Sequence, residues 1–108
     1  DEYVDILGVD IYDTNTDAKT RQYQAMVDMT KGKKLVTVSE CGNIPDPAKC
    51  MEAGNKWSWF MVWCNSDSNG NIVLTPSDNN FKLNTSDYWK RVMSSPYVMT
   101  REDMPSLK

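Results

Sequence analysis

Histidine is absent from this chain of 108 residues. Without imidazole it holds no Ser-His-Asp triad, no Cys-His dyad and no zinc site of Cys/His type. Cysteine is scarce. Cys41, Cys50 and Cys64 have a spacing that fits no zinc ribbon, and an odd count of 3 argues against a disulfide scaffold. Buried small hydrophobes, or one disulfide plus a free thiol, both remain open. Positive charge is short as well: 12 Lys+Arg stand against 15 Asp+Glu, for a net charge of −3. With no basic cluster, nucleic acid is not an expected partner, because phosphate contacts supply most of that affinity. No apolar run reaches the ~20 residues of a membrane span. A leader of Met and a basic region is missing too. The chain opens on Asp1 and Glu2 and reads as a mature, processed or cut-out segment. Length is the last shortage. One domain fits, with about two-thirds of its surface buried on folding. A complete eight-stranded α/β barrel, at about 250 residues, does not.

What is there has order. Residues 3–12, YVDILGVDIY, form a near-continuous apolar run, the pattern of a strand covered on both faces. A turn follows, with Thr14 and Thr16 as candidate N-caps. From residue 17 to about 31 the period changes. Tyr23, Met26, Val27 and Thr30 recur at helical spacing, and Lys31-Gly32-Lys33 supplies a stop. Residues 34–40, KLVTVSE, read as a second strand, so the segment is a βαβ unit with parallel strands. After the rigid loop Asn43-Ile44-Pro45-Asp46-Pro47, residues 48–53 suit a short helix ended by Gly54. Residues 57–63, WSWFMVW, read as a third strand. Residues 64–85 are polar and read as a long loop. Residues 85–94 read as a final helix, capped by Thr85 or Ser86, with Tyr88, Trp89, Val92 and Met93 on its apolar face. Thr100-Arg101-Glu102-Asp103 resembles a short capping start.

Four groups of residues could carry chemistry. Glu40 ends the second strand, and in parallel α/β folds ligands gather beyond the carboxyl ends of strands. A carboxylate there is a candidate nucleophile or base, although such a residue also serves as a solvated or capping group. Tyr12 ends the first strand, where a phenol could hold a neighbouring carboxylate ionised and aimed. Asp10 and Asp13 flank it, and Asp10 could join a network near Glu40. Trp57, Trp59 and Trp63 share one side of the third strand. Trp stacks well on the apolar faces of sugars, but most of this cluster is expected in the core, with Trp63 assigned to a site. Asn65-Ser66-Asp67-Ser68-Asn69-Gly70 looks like half a calcium loop, but Pro76 stands where the bidentate Glu belongs, so a plain turn is expected. Asn84-Thr85-Ser86 matches a glycosylation sequon, a very common accidental match. No metal or cofactor is expected.

GVDIY, VTVSECG with NIPDP, WSWFMVW and YWKRVMSSPYVMTREDMP occur in that order. The series resembles the C-terminal part of family 26 glycoside hydrolases, the endo-β-1,4-mannanases and their relatives. The resemblance covers essentially the whole chain. It implies an α/β fold, the C-terminal portion of a (β/α)8 TIM barrel, about strands six to eight with their helices. Residues 1–108 would then be a single partial domain. Glu40 looks like the family's nucleophile at the end of the seventh strand, and Tyr12 like the sixth-strand tyrosine that hydrogen-bonds it. Trp63 looks like the eighth-strand aromatic that floors the subsite of the sugar being cleaved. The family's acid/base Glu, at the end of the fourth strand and commonly after a His, has no counterpart here.

The implied chemistry is double displacement on β-mannan or a related polysaccharide, which needs two carboxyl groups about 5–5.5 Å apart. The implied setting is secreted, periplasmic or cell-surface. A non-catalytic carbohydrate-binding module and an inert structural fragment remain as alternatives. A barrel piece would expose strand edges and apolar surface. It is therefore expected to associate with the missing N-terminal part of the barrel, or with itself.

Overall fold

A computed structural model describes residues 3–63, 65–66, 69, 71–73 and 83–106. β-Branched and apolar runs make the three strands of its main sheet: β1 (Ile6–Ile11), β2 (Leu35–Cys41) and β3 (Phe60–Val62). Their order is β1-β2-β3 and both pairings are parallel. That is the α/β arrangement, and a binding module built as an antiparallel sandwich would have looked different.

Each strand sorts its side chains by the two-residue period of the pleat. Val9, Ile11, Val38, Cys41, Phe60 and Val62 point to one face, where Ile11, Val38 and Cys41 form the buried centre and Trp57 packs beside them. Val38 and Cys41 are fully enclosed, and each such apolar side chain contributes about 1.5–3 kcal/mol. The opposite face does not have the cover that the apolar runs predict. Ile6 (41%), Leu35 (59%), Trp59 (45%) and Met61 (49%) are exposed there.

α1 (Thr20–Thr30) returns the chain from β1 to β2. It starts later than its periodicity predicts, and neither Thr14 nor Thr16 caps it. The N-cap is Lys19, in the left-handed region at φ 57°, with no side-chain cap. At the other end Lys31 (φ 53°) and Gly32 (φ 68°) turn the backbone out of the helix. The Gly32 amide donates to the Val27 carbonyl at 2.9 Å, closing the αL stop that Lys-Gly-Lys predicts. α2 (Pro47–Glu52) has Asp46 as its cap, accepting from the Ala48 and Lys49 amides at 2.9 and 3.3 Å. Pro47 suits the first helical position because it has no amide to satisfy. α3 (Ser86–Met93) is capped by Thr85, whose hydroxyl accepts from the Tyr88 amide at 3.2 Å. Val92 is buried, whereas Met93 lies open at 41%. A 3-10 turn (Arg101–Asp103) follows, and the Asp103 carboxylate accepts from the Thr100 amide at 2.8 Å.

Two further sequence expectations need correction. The third strand is shorter than residues 57–63, because Trp57 leaves the ladder to meet Tyr23 edge-on, 5.0 Å between ring centres. The polar stretch 64–85 is not all loop. β4 (Asn65–Ser66) and β5 (Ile72–Val73) pair antiparallel within it. Asn84, the acceptor of the sequon, is fully buried and so closed to glycosylation in the folded chain. Asp67, Ser68 and Gly70 of the calcium-like turn, and Cys64, lie outside the described residues. Cys41 and Cys50 are buried free thiols. Among the described residues no helix is long and apolar enough to cross a membrane.

Candidate active site

β2 carries one residue more than either neighbour. Val9 pairs with Val38, but the next residue, Asp10, pairs with Glu40. On the other side Phe60 pairs with Val38 and Val62 with Cys41, so the same step is skipped. Ser39 is the extra residue. Such bulges re-aim side chains near sites. Here the shift lets Val38 and Cys41 both enter the core, though they are three positions apart. Ser39 and Glu40 are left to the open face.

On that face Asp10 and Glu40 are directly opposed, and each carboxylate has a donor of its own. The Ser39 hydroxyl donates to Asp10 Oδ1 at 2.7 Å. The Tyr12 hydroxyl donates to Glu40 Oε2 in a short hydrogen bond. That bond, with the nearby negative charge, pushes the Tyr12 phenol up to about 12: losing its proton would put an anion against a carboxylate. Close packing accompanies this pairing. A Cβ on Gly8 would stand 2.8 Å from both Cβ and Oγ of Ser39, so Gly is the residue that fits beneath it.

Tyr12 and Glu40 stand at the carboxyl ends of adjacent strands, and Trp63 follows the last residue of β3. The Trp63 amide donates to the Cys41 carbonyl at 3.0 Å, fixing its backbone beside the Glu40 strand end. Its side chain is 53% exposed, and Tyr12 is 56% exposed. Trp57 is the core member of the tryptophan cluster. Trp59 lies on the open face with Met61 and is not core.

The loop after Glu40 is held by residues to which the sequence reading gave no such role. Asn84 Oδ1 accepts from the Ile44 amide at 2.9 Å, and its Nδ2 donates to the Gly42 carbonyl at 2.6 Å. Asn43 donates to the Leu83 carbonyl. The Tyr88 hydroxyl donates to the Ile44 carbonyl at 2.7 Å, while Arg91 lies 4.9 Å over the Tyr88 ring. A sequon hides the buried role of Asn84, and Ser39 and Lys19 carry no sequence signal.

The loop after Tyr12 is fixed from within. Lys19 is 4% exposed. Its ammonium pairs with Asp13 and donates to both Asn15 O and Asn15 Oδ1 at 2.7 Å. The left-handed backbone of Lys19 costs about 1–3 kcal/mol, so its surroundings must hold it there.

Residues 1–103 match the family described as Glycosyl hydrolase family 26. Mannan endo-1,4-beta-mannosidase B of Piromyces sp is 32% identical over 105 residues, which is 97% of this chain and 17% of that protein. The Thermothelomyces thermophilus mannan endo-1,4-beta-mannosidase is 31% identical over 104 residues, 96% of this chain and 20% of that one. Among solved structures, a beta-mannanase from a symbiotic protist of the termite Reticulitermes speratus, complexed with gluco-manno-oligosaccharide, superposes with TM-score 0.75. Its identity is 32%, over 97% of this chain and 29% of that one. A ruminal family 26 endo-beta-1,4-mannanase gives TM-score 0.80 at 27% identity, covering 97% of this chain and 22% of that one. The chain thus spans less than a third of each relative.

Proposed function

Because this chain belongs to glycosyl hydrolase family 26, we propose that it is the C-terminal part of a retaining endo-β-1,4-mannanase. β1 to β3 then correspond to about the sixth to eighth strands of a (β/α)8 barrel. The observation that carries this reading is the Tyr12–Glu40 hydrogen bond at the carboxyl ends of adjacent parallel strands. The open sheet face fits it as well. Its exposed Ile6, Leu35, Trp59 and Met61 are what a barrel lumen would cover, and β1 and β3 are outer strands of the main sheet.

In the reaction, Glu40 attacks the anomeric carbon of a mannosyl unit. The glycosidic C–O bond breaks as an acid from the preceding part of the barrel protonates the leaving oxygen. That group, now a base, takes a proton from water, and the water displaces Glu40 from the sugar. With Tyr12 donating to Oε2, Oε1 keeps its lone pairs for attack. Trp63 offers its exposed ring to the apolar face of the sugar and excludes water from the bond being cleaved. Residues 1–108 act as one partial domain whose partner is the rest of the barrel. A polymeric substrate calls for a secreted, periplasmic or cell-surface setting.

The test is direct. The full-length protein carrying this segment should hydrolyse mannan and lose at least ~10³-fold in kcat with Glu40→Ala, and the 108-residue chain alone should be inactive. Activity from the isolated chain, or an unharmed Glu40→Ala enzyme, overturns the reading.

A further inference from the structure

A lysine ammonium seldom goes inside a protein, because removing it from water is costly unless close partners compensate, and an ion pair in that position is weak evidence for stability alone. The Lys19 side chain is 2% exposed. It is surrounded by the segment that follows Tyr12: Asp13 Oδ1, Asn15 O and Asn15 Oδ1 all accept from its Nζ. Asn15 Oδ1 also accepts from the Asp17 amide at 3.0 Å. One cation therefore ties residues 13, 15 and 19 into a closed ring.

The ring is bolted to the rest of the fold. The Ala18 carbonyl accepts from Asn55 Nδ2 at 2.7 Å and from Trp57 Nε1 at 3.2 Å. The Asp46 amide donates to the Thr16 carbonyl at 2.9 Å. The ring also lies against the Glu40 strand end. The Gly42 amide donates to the Ile11 carbonyl at 3.0 Å, and a Cβ on Gly42 would sit 3.7 Å from the Asp13 carbonyl and 3.9 Å from the Tyr12 Cα.

Tyr12 itself has little to hold it. More than half its surface is open, and its one side-chain hydrogen bond among the described residues is the one to Glu40. Its position is set by its backbone, fixed on one side by the β1 ladder and on the other by the ring that begins at Asp13. We propose that Lys19 is a positioning residue for the glycosidase reaction, acting through the Asp13–Lys19 ring to hold Tyr12 against Glu40. This rests on the proposed function above. Lys19 touches no substrate, and its effect passes through Tyr12.

A double-mutant cycle in the full-length enzyme tests it, with kcat and KM measured on manno-oligosaccharides. Lys19→Met should lower kcat about 10-fold with KM changed less than about 2-fold. Asn15→Ala removes one acceptor from an exposed site and should give a smaller fall of about 2–3-fold in the same parameter. In the Tyr12→Phe background both losses should vanish, because coupled residues are not additive. Losses that multiply with that of Tyr12→Phe, or that fall on KM, overturn the proposal. If Lys19→Met does not fold, Asn15→Ala carries the cycle alone. Glu40→Ala run alongside separates the two readings: a dead Glu40→Ala enzyme with an additive cycle removes only the role of Lys19, whereas an active one removes the nucleophile.

Discussion

Asn84 stands in for a strand at the turn that follows Glu40, accepting from the Ile44 amide at 2.9 Å and donating to the Gly42 carbonyl at 2.6 Å. One amide side chain satisfies two main-chain groups of a buried loop and ties α3 to the strand end that bears the candidate nucleophile.

Removing that side chain leaves both groups without a partner. Asn84→Ala should cost about 2–6 kcal/mol, since each of the two buried unsatisfied groups costs roughly 1–3 kcal/mol. Urea unfolding of the full-length enzyme measures it. Mass spectrometry of protein secreted from a glycosylating host should find Asn84 unmodified, as its burial requires.

Tyr12→Phe keeps the ring and loses the donor to Glu40 Oε2. Under the proposed mechanism the carboxylate then rotates more freely before attack. We expect kcat to fall about 10–100-fold with KM nearly unchanged, the range for a lost orienting contact in the transition state. Steady-state kinetics on manno-oligosaccharides decide it, and a fall carried by KM alone would point to sugar binding instead.

Gly8→Ala tests the packing beneath the site. Its new Cβ would meet Ser39 at 2.8 Å and the Thr37 Cγ2 at 3.3 Å. Ser39 must move away, and its bond to Asp10 with it. Overpacking of this kind costs about 1–3 kcal/mol, so the thermal midpoint should fall and kcat with it.

Alkali should loosen the fold through its thiols. Burial raises Cys41 and Cys50 from an ordinary 9.0 to about 11. Between those values the folded chain keeps protons that the unfolded chain has released. Stability is therefore intact below pH 9.0 and declines as pH rises toward about 11. Denaturant midpoints across that window should fall in the full-length enzyme, and Cys50→Ala should flatten the decline. Both thiols should resist alkylation until the protein unfolds.

Much of the main sheet was legible because its signals are local. β1 and β2 declare themselves by apolar runs, and α3 by Thr85 and the spacing of Tyr88, Trp89 and Val92. The start of α1 was not legible. Thr14 and Thr16 are good caps by type, but the backbone is held at Lys19 by an ion pair with Asp13 that only folding brings together. Trp59 misled for a related reason. An aromatic in a strand suits a core, and which face has cover depends on elements beyond the strand. Within the site, Tyr12 and Glu40 are visible as strand-end residues. The extra residue at Ser39 is not, because VTVSEC can be read in alternation without a break, and only the pairing with Val9 and Asp10 reveals the slip.

That slip gives β2 a parity. Every residue before Ser39 is counted in one phase of the pleat and every residue after it in the other. Substitutions along the strand leave the count intact. Pairing Ser39 in strict alternation, with all seven residues kept, would remove the slip and reverse the phase from Glu40 onward. A carboxylate would be driven into the apolar layer beside Ile11 and Val62, and a thiol delivered to the open face in its place. The site would be lost with no residue replaced, so in this strand the register matters as much as the kind of residue.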